Sequence, residues 1–257
     1  MAYPLQRFES WKCQMVSVKS SVMRLLAGFL VVFGLMISAS CSKEQDTKVY
    51  TLTFSFRDSL SGWEGDFADY PEDSSTYHLK ASHDTLPFNI NADSTRKAIR
   101  LSGINRSDDL FMFIKRKISG LRKNTPYEVL MNVKLASNVP TNAAGAGGAP
   151  GESVYVKVGA STVEPVSELV SGYYQMNIDK GDQSEGGENM VVVGHVGVAD
   201  KTTNYTIISR FNNSTNPVYA TSNELGELWL IVGTDSGYEG LTKLYYTQVD
   251  VYLNATD

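Results

Sequence analysis

In Tyr127-Glu-Val-Leu-Met-Asn-Val-Lys-Leu135, the residues Tyr127, Val129, Met131, Val133 and Leu135 alternate with Glu128, Asn132 and Lys134. A period of two sends one set to a core face and the other toward solvent or a second layer, which is the signature of a strand. The same alternation recurs outward from this segment. Tyr50, Leu52, Phe54 and Phe56 alternate with Thr51, Thr53, Ser55 and Arg57, and Val154, Val156 and Val158 flank Tyr155 and Lys157. Further strands are expected at 76–80, 98–102, 110–118, 173–178, 190–198, 205–209, 227–233 and 244–253. Turn chemistry separates them, as in Ser61-Gly62, Asn124-Thr125-Pro126, Gly186-Gly187 and Asp235-Ser236-Gly237. No amphipathic segment is long enough for a substantial helix, and no repeat of solenoid or propeller length occurs. The expectation is all-β: a single β-sandwich over residues 48–254.

Composition sets the outer limits. The chain has 257 residues, 23 Lys+Arg against 28 Asp+Glu, and is 42% hydrophobic and 20% charged. These proportions exclude wholesale disorder, collagen and coiled coil. The acidic balance argues against nucleic acid as a partner, because phosphate neutralisation needs clustered Lys and Arg.

The N-terminus reads as an address. Lys19 and Arg24 precede an unbroken apolar run from Leu25 to Ile37, followed by Ser38-Ala39-Ser40-Cys41. An apolar run shorter than the ~20 residues of a membrane span, with basic residues before it and small ones after, has a secretory signal's layout. Met23 alone would open a conventional signal. Ile37-Ser38-Ala39-Ser40-Cys41 resembles the lipobox of bacterial lipoproteins, with Ser38 where leucine is usual. The resemblance implies cleavage of residues 1–40, acylation of Cys41 and a polar tether over 41–47. It further implies anchoring in the outer membrane, since no aspartate follows Cys41. The tract Ser42-Lys43-Glu44-Gln45-Asp46 is similar to export signals on surface lipoproteins of Bacteroidetes-type bacteria. Plain secretion with an incidental Cys41 is the alternative. Loss of residues 1–40 leaves 19 basic against 27 acidic residues, and Cys41 is then the only cysteine. No disulfide within the chain is available, so the domain must be held by its core.

The segment Glu227–Leu253 is a strand, a loop and a closing strand. It resembles the last two strands of galactose-binding-like jelly-roll domains, where many carbohydrate-binding modules occur. Their final strand often carries a calcium-site aspartate two places before its first valine; here Thr247 takes that place. The region Gly62–Leu253 also resembles a group of bacterial secreted proteins to which no activity attaches. The matching segments include Gly62-Trp63, Asp66-Phe67-Ala68-Asp69-Tyr70-Pro71, Ser107–Phe113, Gly148–Tyr155 and Asn177–Gly181.

Several constellations are candidates for function. Sugar binding needs flat aromatic faces with polar groups beside them. Trp63, beside Asp66 and Asp69 in a Gly-flanked segment, leads that set, with Tyr173, Tyr174 and Tyr238 at loop or strand ends. Core packing is the competing role for Trp63, and Trp229 can face either way. Asp179, Asp182, Glu185 and Glu188 lie within ten residues and offer oxygen ligands for Ca2+ on a flexible loop. Their spacing is not that of an EF-hand, and solvated turns also look like this. The run Ala143–Gly151 is a mobile loop and not a phosphate cradle. Lys115-Arg116-Lys117 reads as a solubilising strand edge, or else as a contact for an acidic glycan or lipid headgroup.

Support for catalysis is thin. His78, His83 and His195 belong to no zinc or metalloprotease pattern, and no nucleophile elbow is present. Three functions remain open. The leading one is a non-catalytic, membrane-anchored lipoprotein that binds carbohydrate. The second is a structural or adhesion protein with a protein partner, and the third is a glycan-cleaving enzyme with two carboxylates across a cleft.

Overall fold

The computed structural model describes residues 49–90, 95–199 and 204–256. The expected signal segment 1–40, the lipidation expected at Cys41 and the tether expected over 41–47 lie outside the described residues. The described residues belong to one compact unit, Gln45–Asp257, and contain no helix long and apolar enough to cross a membrane.

Among the described residues fifteen strands follow one another: β1 (Val49–Ser55), β2 (Glu64–Ala68), β3 (Tyr70–Pro71), β4 (Lys80–Thr85), β5 (Lys97–Ile104), β6 (Leu110–Ile118), β7 (Pro126–Ser137), β8 (Val154–Ser161), β9 (Ser167–Val170), β10 (Tyr173–Met176), β11 (Met190–His195), β12 (Thr206–Phe211), β13 (Val218–Thr221), β14 (Leu228–Ser236) and β15 (Leu241–Ala255). They form a seven-stranded sheet, ordered β12-β7-β15-β5-β4, with β1 also on β15 and β13 also on β7. Facing it is a five-stranded sheet, β11-β8-β14-β6-β2, and a small third sheet joins β3, β10 and β9. The chain crosses directly between the two main sheets from β1 to β2, β5 to β6, β6 to β7, β7 to β8, β11 to β12, β13 to β14 and β14 to β15. This is a jelly-roll β-sandwich.

The expected strands at 110–118, 154–158 and 244–253 fall within β6, β8 and β15. The strand expected at 76–80 begins later, at Lys80. Four strands were not expected. β2 and β3 occupy the Gly-flanked segment around Asp66, while β9 and β13 have only four residues each.

β15 is the spine of the larger sheet. One edge pairs with β7 along its length; the other pairs first with β5 and then with β1. The changeover falls at a bulge between Tyr246 and Gln248. There the Thr247 carbonyl accepts the Phe56 amide at 3.0 Å, and its hydroxyl donates to the Lys134 carbonyl at 3.0 Å. The residue standing in the calcium-site place is thus a bulge former spent on backbone bonds.

The alternating sets meet between the sheets. Tyr127, Val129, Met131, Val133, Leu135, Val249, Val251 and Leu253 face Met112, Ile114, Val156, Val158, Leu230 and Val232, and all are buried. Trp63 lies in this core, 1% exposed, edge-on to Phe54 and Phe56 at 5.6 and 6.0 Å. It is therefore no sugar platform: three aromatics from β1 and its outgoing turn fill one end of the sandwich. Trp63→Ala is expected to lower unfolding free energy by about 3–5 kcal/mol in urea titrations, the cost of deleting a large buried ring.

Candidate functional site

Each sheet has an outward face, and the two are treated differently. On the five-stranded sheet, Phe111, Phe113, Ile231 and Met190 form a second apolar cluster under Ile178 and Met176. Beside it the sheet carries Lys157 and Asp235, both fully buried. The Lys157 ammonium donates to Asp235 at 2.8 Å, to the Lys180 carbonyl at 3.0 Å and to the Glu185 carbonyl at 2.9 Å, which uses all three of its hydrogens. The same Asp235 oxygen accepts from Lys180 Nζ at 2.8 Å and from the Gln183 amide at 3.1 Å. Lys180 also lies 3.1 Å from Asp69 and 3.8 Å from Asp109. Two lysines and one aspartate thereby tie residues 180–185 down onto the sheet.

Charge balance explains the titration of these groups. Burial pushes the Lys180 ammonium down, but Asp235, Asp69 and Asp109 together outweigh it and hold the group above the usual lysine range. Lys157 goes the other way: its burial exceeds what the shared Asp235 returns. For Asp235, burial is overcome by the two ammonium groups and its carboxyl stays below the usual range. Burial raises Asp69 against the pull of Lys180. Asp109 rises to about 7, chiefly by burial, with Asp235 and Asp69 adding repulsion that Lys180 only partly offsets.

Part of the expected site converges here. Asp69, Asp109, Tyr173, Gln175, Asp179 and Lys180 line an open cleft of about 320 Å³. Tyr174 does not join it as a free face, because it stacks on Tyr70 at 4.9 Å. Asp66 caps the amide of Phe67. Tyr238 is half-buried under the glycine-rich loop: a Cβ on Gly145 would stand 2.6 Å from its ring. That loop is pinned at Ala146, whose carbonyl accepts the Glu239 amide.

The four carboxylates of 179–188 do not converge on one point. Among the described residues no three His, Cys, Asp or Glu side chains are grouped to hold a metal ion. Asp179 accepts the Gly181 and Glu188 amides at 2.9 and 2.8 Å, and these bonds hold its carboxyl below the usual range. Asp182, Glu185 and Glu188 are exposed. The segment is a self-bonded turn. The basic run also changes character, since β6 lies inside its sheet. Lys115 is buried against Glu164 at 2.6 Å, and Lys115 and Lys117 flank the outward ring of Trp229.

Among the described residues, the outward face of the seven-stranded sheet is covered at one end only. Leu86 and Ile90, with Tyr205, close over Ala98, Ala136 and Tyr245. The other end is open. There β7 forms a floor of Leu130 and Asn132, with Phe211 of β12 on one side and Tyr252 of β15 on the other. Leu130 pairs with Tyr252, and Asn132 pairs with both Phe211 and Asp250. The two rings come from strands two spacings apart, about 10 Å, at register positions offset by two residues along β7. Phe211 is 60% and Tyr252 42% exposed, an unusual state for large rings on a sheet.

Polar groups surround this groove of about 370 Å³. The Ser209 hydroxyl bonds the Asn132 carbonyl oxygen, leaving the Asn132 amide nitrogen without a partner among the described residues. Asp250 accepts from Thr53 at 2.9 Å and Gln248 at 2.8 Å. The buried Asn212 fixes the wall by bonding both ways to β7, to Met131 N at 2.7 Å and Val129 O at 3.0 Å. None of these groove residues was singled out from sequence. Tyr252 was legible, since it falls on the polar phase of a strand whose Val249, Val251 and Leu253 face inward.

No protein-family model matches the chain, and no curated protein matches it in sequence. Solved structures do resemble it distantly. One is the enzymatically active domain of tailspike protein 4 of bacteriophage CBA120, 7% identical, TM-score 0.33, covering 74% of this chain. The chain spans only 20% of that tailspike's length. Another is TmCBM61 in complex with β-1,4-galactotriose, 10% identical, TM-score 0.32, with 77% of this chain and 92% of that one covered. A third is a sugar binding protein, so described provisionally, from Bacteroides thetaiotaomicron VPI-5482, 14% identical, TM-score 0.34, covering 75% and 88%. Likeness at this level assigns no ligand.

The Asp109 carboxyl gives a stability signature. Its folded value of about 7 exceeds the ordinary 3.8. Between those values the folded state holds a proton that the unfolded state has released, so stability falls as pH rises through the window. Asp109→Asn is expected to flatten the decline in urea midpoint between about pH 4 and pH 7 and to match the wild type only at the acid end of that window.

Proposed function

We propose that this chain is a non-catalytic, lipid-anchored extracytoplasmic protein that binds carbohydrate in the groove between Phe211 and Tyr252. One observation carries the reading: two exposed rings line one concave strip whose floor carries the Asn132 amide nitrogen, without a partner among the described residues. Rings supply flat faces for the C–H side of a pyranose, and the side-chain amides of Asn132 and Asn213 supply partners for its hydroxyls. The groove sits on β7, β12 and β15, so its shape is set by strand pairing and needs little ordering on binding. The opposite sheet offers no such platform, because Trp229 is flanked by lysines and the remainder is covered by residues 173–189.

A second reading has its own support. Val49, Ile207 and Tyr219 are also exposed on this outward face, and a wider apolar surface suits a protein partner. Enzymatic glycan cleavage has less behind it. In the cleft that brings Asp69 and Asp109 together, Lys180 sits between the two carboxylates. The anchor is proposed from the lipobox resemblance at Ile37–Cys41, and the outer membrane from the residue that follows.

A glycan array probed with the full-length chain tests the binding. Phe211→Ala or Tyr252→Ala is expected to weaken any hit at least about tenfold, on the order of 1.4 kcal/mol. Trp229→Phe, on the other sheet, should leave it intact. A silent array from folded protein sinks the carbohydrate reading for the glycans tested and favours the protein partner. For the anchor, Cys41→Ala should move the protein from the detergent phase to the aqueous phase in Triton X-114 partitioning.

A further inference from the structure

Beyond Phe211 lies a second groove, of about 490 Å³, lined by Val193, Gly194, His195, Ser209, Arg210, Phe211 and Asn213. It shares Ser209, Phe211 and Asn213 with the first, so the Phe211 ring is a ridge between two adjoining depressions. Their chemistry differs. The first has no charged lining residue; the second holds Arg210 and His195.

Arg210 is built into place. It lies on the inward phase of β12, opposite Val133, and crosses from the edge of one sheet to the edge of the other. Its Nε donates to the His195 carbonyl at 2.7 Å, Nη1 to the Ser209 carbonyl at 3.0 Å and Nη2 to the Gly197 carbonyl at 3.1 Å. β11 makes room with a bulge between Val192 and Gly194. Gly194 has φ +129°, and a Cβ there would stand 2.9 Å from Arg210 Cδ. Only glycine lets the guanidinium stem lie across this strand.

Three carbonyls occupy three of the five guanidinium N–H groups, and two remain. Carbonyls do not neutralise the charge. Lys115, Lys157, Lys180 and Arg100 each lie against a carboxylate. Among the described residues no carboxylate pairs with Arg210, although acidic residues outnumber basic ones in the chain. His195 adds a donor: its Nδ1 accepts the Gly197 amide at 3.1 Å, which puts the ring proton on Nε2. Asn213 uses its carbonyl oxygen on Thr215 at 2.9 and 2.6 Å, leaving its amide nitrogen as a donor. A half-buried, unneutralised cation with donors around it is complementary to an anion.

We infer that the depression beside Arg210 takes an anionic substituent of the glycan, a uronate carboxylate or a sulfate ester, while the sugar that bears it lies along the Phe211 ridge. This rests on the carbohydrate reading above and narrows it to acidic glycans. Arg210 also ties β11 to β12, so a purely structural role is the competing account and the test must separate the two.

Calorimetric titration of the full-length chain would use matched oligosaccharide pairs: a uronate-containing oligosaccharide with its carboxyl-reduced form, and a sulfated one with its desulfated form. The acidic member of at least one pair should bind at least about tenfold tighter, and which pair responds identifies the anion. That preference should shrink as NaCl rises from 50 to 500 mM. Arg210→Gln should level the pair without weakening the neutral member, whereas a structural role would weaken both alike. Should Arg210→Gln fail to fold, His195→Ala keeps the Arg210 carbonyl seat and should reduce the preference severalfold. Equal binding of both members by the wild type overturns the inference and leaves the carbohydrate reading standing. Binding of neither member in any pair overturns both.

Discussion

Asp235 is the group on which the covering of the five-stranded sheet depends. Its carboxylate lies at the end of β14 with no exposure, and one of its oxygens takes hydrogen bonds from two ammonium groups and a backbone amide. An isolated carboxylate at such a depth would be driven to its neutral form. Here the two lysines reverse that outcome. In return the aspartate and the carbonyls of Lys180 and Glu185 make it tolerable to bury Lys157 completely. Because those carbonyls belong to the acidic turn, charge satisfaction and loop placement are one event: the turn cannot leave without stranding an ammonium group inside the protein.

The consequence is an asymmetric sandwich. The five-stranded sheet is roofed by β9, β10 and the turn that follows, and gains a second small core around Phe111 and Phe113. Among the described residues the seven-stranded sheet is roofed only at the end where Tyr205 meets Tyr245, at 5.3 Å and nearly perpendicular. Beyond that roof, Phe211 and Tyr252 remain in solvent on either side of the half-buried Leu130. Exposed rings on a sheet are costly to hydrate, and a surface of this kind gains by being covered. The cation at the neighbouring edge is held by carbonyls that orient it without cancelling it, so position and charge are both preserved.

Some errors of sequence reading were errors of environment and not of phase. Lys157 alternates with Val156 and Val158 and points away from the main core, as the period of two requires. It is nonetheless buried, because a segment more than twenty residues later closes over it. Asp235 looked like a turn residue beside Ser236 and Gly237, yet it is the last outward position of a central strand. Trp63 looked like a loop aromatic, but β2 begins directly after it and the preceding turn swings its ring inward. β2 itself escaped detection because Glu64-Gly-Asp-Phe-Ala has no alternation of its own and is held by pairing with β6.

What the amino-acid order determined alone was the period of two, the turn positions and the absence of a disulfide within the domain. Those settle an all-β sandwich, because alternation is a local property of each strand. Which strands are neighbours, which outward face is roofed and which aromatics remain in solvent were decided only by the tertiary structure. Phe211, Asn132 and Tyr252 are far apart in the chain and meet only through the register of β12, β7 and β15. Arg210 has no carboxylate partner among the described residues because the glycine bulge on the other sheet brings the His195 and Gly197 carbonyls to it instead.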